Sequence, residues 1–122
     1  MKRIFLVEDN PDNRDLFEAF VADSYDVEAL ENGIDALQRL KSSPPPDLFV
    51  FDISLPDMDG VELLRQVKKI PELHSISAIA LTSHAMKGDK ERFLAAGFNA
   101  YISKPIVDEV AMLDTLAKQI KK

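Results

Sequence analysis

The segment DLFVFD, Asp47 to Asp52, places four apolar residues between two aspartates, and ISLPDMDG, Ile53 to Gly60, follows without a break. Leu48 to Phe51 show no alternation of apolar and polar residues. A short apolar run of this kind reads as a strand buried on both faces, the situation at the centre of a parallel sheet. The polar exit carries three aspartates, and Asp52 is the one that comes straight off the strand.

The same reading extends in both directions. RIFLV, from Arg3, is a strand that ends at Glu8 and Asp9. Asn10 is placed to cap a helix with Pro11 in its first turn, and Leu16, Phe17, Phe20 and Val21 recur at helical spacing. YDVEAL, from Tyr25, alternates and reads as a strand with one more exposed face. Asn32 with Asp35 predicts the start of a second helix, faced by Ile34, Leu37 and Leu40 and stopped by KSSPPP. Asp59 with Glu62 predicts a third, with Val61, Leu63, Leu64, Val67 and Ile70 along its inner stripe.

Beyond it, ISAIALT, Ile76 to Thr82, is a fourth strand. A fourth helix is expected from about Lys87 to Ala96, weakly apolar around Phe93 and Leu94, and stopped by Gly97. NAYIS supplies a fifth strand before Lys104 and Pro105. The last helix is expected to turn Val110, Leu113, Leu116 or Ala117, and Ile120 inward. Strand and helix signals therefore alternate over the whole chain, the pattern of a parallel sheet with helices on both faces. Residues 1–122 read as one domain.

Composition narrows the function. The chain has 122 residues, 21 acidic and 15 basic, for a formal charge of −6. That balance argues against direct nucleic-acid binding. Without cysteine there is no thiolate chemistry and no thiolate metal site. The apolar run Ile4 to Val7 is too short for a signal peptide or a membrane span, so a cytoplasmic protein without membrane insertion is expected.

The polar residues sort to the carboxyl ends of the strands: Glu8 and Asp9, Asp52, Thr82 and Lys104. In an open α/β sheet these ends share one edge, where sites usually lie. Clustered carboxylates repel unless a cation neutralises them, and Mg2+, bound through oxygen, needs neither sulfur nor imidazole. Lys104 offers a point charge and Thr82 a hydroxyl, both suited to phosphoryl oxygens. Asp52 can act as ligand or nucleophile, and the sum is consistent with in-line attack on phosphorus to give an aspartyl phosphate. The plainer alternatives stay open residue by residue: Asp52 as a strand-end or capping acid, Glu8 and Lys104 as solvated charges, Thr82 as a loop cap. Asp57 and Asp59 read as loop and capping acids at the turn into the third helix.

With LVEDNPDN, FDISLPDMDG and LTSHAMKGDKERFLAAGFNAYISKP in this order, the chain resembles the receiver domain of bacterial two-component response regulators over nearly its full length, and more narrowly the stand-alone receivers. The resemblance implies a doubly wound, flavodoxin-like (βα)5 domain with strand order 2-1-3-4-5. It implies that Asp52 accepts a phosphoryl group from histidine on a sensor kinase or a histidine phosphotransfer protein. Glu8, Asp9, Asp52 and the Ser54 carbonyl match the Mg2+ site. Thr82 matches the switch hydroxyl, Lys104 the phosphate-pairing lysine and Tyr101 the aromatic switch. Signalling to a downstream protein is expected through the fourth helix, fifth strand and fifth helix, from a monomer or a weak phosphorylation-dependent dimer. Such a domain catalyses its own phosphorylation and dephosphorylation without turning over a separate substrate.

Glu8 stands where many members carry aspartate, and Ser54 and His84 occupy variable positions flanking the acceptor and the switch. No output domain is visible in the sequence, which removes transcriptional activation as the default reading. Two rival readings remain: a haloacid-dehalogenase-type phosphatase using Asp57 and Asp59, and a binding module that works without phosphorylation.

Overall fold

The computed structural model describes residues 1–83 and 88–120. His84, Met86 and Lys87, the last being the expected start of the fourth helix, lie outside them. The strands are β1 (Arg3–Val7), β2 (Asp26–Leu30), β3 (Leu48–Asp52), β4 (Ala78–Thr82) and β5 (Ala100–Ser103). The helices are α1 (Pro11–Val21), α2 (Gly33–Ser42), α3 (Gly60–Val67), α4 (Asp89–Ala96) and α5 (Glu109–Gln119). The sheet is parallel throughout, in the order β2-β1-β3-β4-β5.

β3 lies at the centre, and every one of its residues is buried, Asp52 included. The strand pleat divides the core in two. Phe5, Phe49, Phe51 and Ala80 face α2, α3 and α4, whereas Ile4, Leu48, Val50, Ile79 and Leu81 face α1 and α5. Both faces of β3 therefore need apolar side chains, which accounts for the missing alternation in LFVF. Edge strands β2 and β5 are more exposed.

The helix starts follow the expected capping chemistry. Asn10 accepts from the N–H groups of Asp12 and Asn13, and Asn32 from that of Asp35. Asp59 accepts from the Glu62 N–H at 2.8 Å. Asp57 behaves otherwise than expected. Its two carboxylate oxygens accept from the N–H groups of Gly33 and Ile34, at 3.0 and 2.8 Å, so it caps α2 across space and not α3.

Two expected faces hold except for one residue each: Leu37 and Leu40 on α2, and Leu113, Leu116 and Ile120 on the α5 side, lie in or against the core. On α2 the buried stripe is Gly33, Ala36 and Leu40, leaving Ile34 53% exposed. At this end of the helix the loop after β3 lies close, with Met58 packed on Gly33. On α5 the buried residues are Met112 and Leu116, while Val110 is 77% exposed in the first turn. Gly97 ends α4 with φ at 111°.

The entrance to α3 sits hard against the end of β3. A methyl group on Gly60 would lie 2.5 Å from the Asp52 main-chain oxygen, and the Gly60 N–H donates to the Ile53 carbonyl at 2.9 Å. Gly60→Ala is accordingly expected to lower stability by about 1–3 kcal/mol, the usual cost of forcing extra volume into packed structure. The readout is the urea midpoint, and an unchanged midpoint would contradict this packing.

Candidate functional site

The carboxyl ends of β1, β3, β4 and β5 bring Glu8, Asp9, Asp52, Thr82 and Lys104 to one edge of the sheet, as the sequence pattern predicts. Glu8 and Asp52 are buried and Asp9 is exposed. One carboxylate oxygen from each of the three acids falls within a 4.8 Å cluster. Lys104 Nζ donates to Asp52 Oδ2 at 3.0 Å and to Glu8 Oε1 at 3.1 Å. Neither Glu8 nor Lys104 is a free surface charge: the side chains are 1% and 13% exposed.

Each group is oriented by a local cause. The Ser54 N–H, two residues past the strand, donates to Asp52 Oδ1 at 2.9 Å. Both oxygens of Asp52 thus have donors, one from the loop and one from Lys104. The Lys104 N–H donates to the Thr82 carbonyl at 2.7 Å and continues the β4–β5 ladder, and the Lys104–Pro105 peptide is cis. Thr82 is buried at the end of β4, whereas Tyr101 on β5 is 36% exposed. Tyr101 borders a shallow groove between α4 and α5 with Lys90, Phe93, Leu94 and Thr115.

Two residues that went unremarked in the sequence also shape the acidic end of β1. Asn13 Nδ2 donates to Glu8 Oε1 at 3.3 Å. Arg14 donates through Nη1 to the main-chain carbonyls of Glu8 and Asp9, at 2.8 and 3.1 Å. Their signal was the polar run NPDNRD directly behind the acidic pair, which reads first as a helix start.

The electrostatics are dominated by crowding. Burial, followed by the proximity of Asp52, pushes the Glu8 carboxyl up to about 7 against the opposing Asn10 N–H and Lys104. Burial disfavours the Lys104 ammonium, but Asp52 and Glu8 outweigh that and hold its pKa above the ordinary lysine value. The cluster therefore has more negative charge than one lysine neutralises. A hard divalent cation suits it: the donors are all oxygen, close together, and open on the Asp9 side.

The phosphatase alternative does not survive this geometry. Asp57 is engaged by α2 and Asp59 by α3, and the acidic cluster found among the described residues is Glu8, Asp9 and Asp52.

Residues 4–118 match the family model described as the response regulator receiver domain. The chain belongs to the receiver domain family. Among curated relatives, this receiver is 43% identical over 106 residues to the polar-differentiation response regulator DivK of Brucella anthropi, covering 86% of this chain and 85% of DivK. It is 39% identical over 107 residues to the signal transduction histidine-protein kinase BarA of Escherichia coli K12, covering 87% of this chain but only 12% of that kinase. Among solved structures, the receiver domain of the Pseudomonas aeruginosa sensor histidine kinase PA1611 superposes with a TM-score of 0.85 at 32% identity, over 97% of this chain and 96% of that one. That structure holds a magnesium ion coordinated in its active-site cleft. This receiver thus shares the fold and the two-component signalling class of its relatives. Among its described residues, no helix is long and apolar enough to cross a membrane.

The raised Glu8 value has a defined sign. The fold favours the protonated carboxyl, so the contribution of Glu8 to stability is full below its ordinary value of 4.5 and is lost as pH rises through about 7. In metal-free buffer with EDTA, Glu8→Gln should gain on the wild type by on the order of a few kcal/mol over that window. Urea midpoints at several pH values provide the check, and parallel curves for the two proteins would exclude the effect.

Proposed function

We propose that residues 1–122 act as one receiver domain that takes a phosphoryl group onto Asp52 from phosphohistidine of a sensor kinase or a histidine phosphotransfer protein. The observation that carries this reading is the position of Asp52: a buried carboxylate at the end of the central strand, flanked by two further acids and touched by Lys104. An Asp52 oxygen attacks phosphorus as the P–N bond to imidazole breaks. The imidazole leaves with the bonding electron pair and takes up a proton. The Ser54 N–H and Lys104 Nζ hold the attacking carboxylate in one orientation beforehand. Lys104 can then pair with a phosphoryl oxygen, and Thr82, ending the adjacent strand, offers its hydroxyl to another.

Glu8, Asp9, Asp52 and the Ser54 carbonyl are the groups that would hold Mg2+, Asp9 directly and Glu8 through water. When bound, the ion offsets negative charge on the phosphoryl oxygens. This assignment is supported by the oxygen-only donor set and by the crowding that raises Glu8. Hydrolysis of the acyl phosphate restores Asp52. No separate substrate is required.

The change in charge at Asp52 alters the demand on Lys104, now shared between two acids, and through its main chain reaches β5. Tyr101 lies on that strand, two residues before Ser103. We assign Thr82 and Tyr101 as the switch pair and the α4–β5–α5 face as the surface read by a downstream protein, with the domain working as a monomer or a weak dimer formed on phosphorylation. α4 supports that use, since Phe93 is its one buried residue and a helix with little to bury shifts at low cost. The cytoplasm, where ATP-dependent kinases act, is the compartment this reading requires.

Incubation with Mg2+ and acetyl phosphate, followed by intact mass measurement, should show one added phosphoryl group on the wild type. Asp52→Asn and EDTA-treated wild type should show none. Undiminished labelling of Asp52→Asn would overturn the assignment.

A further inference from the structure

We propose that Asp57 is a positioning residue for this site, tying the loop after β3 to the start of α2 and so keeping the Ser54 N–H on Asp52. The proposal rests on Asp52 being the reacting group. It concerns a residue outside the acidic cluster, held by the start of α2.

Ser54 leaves the sheet immediately after Ile53, whose N–H still donates to the Leu81 carbonyl at 3.0 Å. From Ser54 the chain must reach Asp59, the cap of α3, through four intervening residues. Three contacts define its course. Leu55 buries its side chain in the core, Asp57 grips the N–H groups of Gly33 and Ile34, and Met58 lies over Gly33. A Cβ on residue 33 would come within 2.6 Å of the Met58 Cγ, so the close approach depends on glycine there.

Capping alone does not explain the Asp57 contact. The first three orphan N–H groups of α2 are divided between two residues: Asn32, adjacent in sequence, takes that of Asp35, while Asp57 takes those of Gly33 and Ile34 from 23 and more residues away. A cap of the local kind serves the helix. A cap delivered from the active-site loop constrains the loop as well. Leu55 resists displacement of the loop out of the core, but an apolar contact does not fix direction as two hydrogen bonds to a helix end do. Ser54 sits three residues from Asp57, and its N–H is the donor that sets the Oδ1 side of Asp52.

The two roles separate experimentally. Asp57→Ala and Asn32→Ala each remove a cap from the same helix, and only the first releases the loop. Amide hydrogen exchange in metal-free protein should show Ser54 losing protection in Asp57→Ala while keeping it in Asn32→Ala, after allowance for each variant's global stability. Mg2+ affinity by calorimetry should fall about tenfold in the first variant, the low end of what outer-shell partners of a metal site contribute, and stay unchanged in the second. If Asp57→Ala does not fold, Asp57→Asn, which keeps the shape but only one acceptor oxygen, should show a smaller loss in the same direction. Equal Ser54 protection in the Asp57 and Asn32 variants would overturn the proposal. The exchange measurement uses neither metal nor phosphate, so it stands apart from the labelling of Asp52, whose failure would overturn the phosphorylation reading instead.

Discussion

The ammonium group of Lys104 lies about three ångströms from two buried carboxylates, Glu8 just past the end of β1 and Asp52 at the end of β3. Carboxylates at such spacing cannot both remain ionised in a weakly hydrated cleft without positive charge between them. The arrangement at the sheet's edge depends on this contact, because β1, β3 and β5 all end within its reach. A single lysine against three acids leaves the balance negative. That residual charge is what would suit the cleft, on the exposed Asp9 side, to a divalent cation.

The sheet and most helix starts were legible in the sequence because each rests on short-range chemistry. LFVF must be buried on both faces, and Asn10, Asn32 and Asp59 each stand where the first N–H groups of a helix need an acceptor. Glu8, Asp52, Thr82 and Lys104 were legible for another reason: a parallel sheet carries the ends of its strands to one edge whatever the intervening loops do. The loops themselves were not legible. Nothing local to Asp57 distinguishes an acid that caps the following helix from one that caps α2, and only the fold brings Gly33 and Ile34 to it.

Two helix residues, Ile34 and Val110, lie outside the faces expected to bury them. Ile34 is the more apolar candidate, but Gly33 is the buried residue at this end of the helix, and Met58 of the loop after β3 lies close enough to leave no room there for a Cβ. Val110 fits the helical period of α5 yet lies exposed in its first turn. Asn13 and Arg14 escaped notice because a polar first turn has an ordinary explanation. Their partners, the Glu8 side chain and the carbonyls of Glu8 and Asp9, become apparent only when α1 is folded back beside β1.

Strand order also sets a limit on the length of one side chain. Lys104 follows β5, whereas Asp52 ends β3, and β4 lies between them. Neighbouring strands are spaced about 4.8 Å apart, so the lysine must reach over the end of β4 and across two such intervals, with the aspartate meeting it part-way. Cleft width is therefore a gauge that the four-carbon stem of lysine happens to match, and the planar, wider head of arginine would meet the same two carboxylates with a different fit.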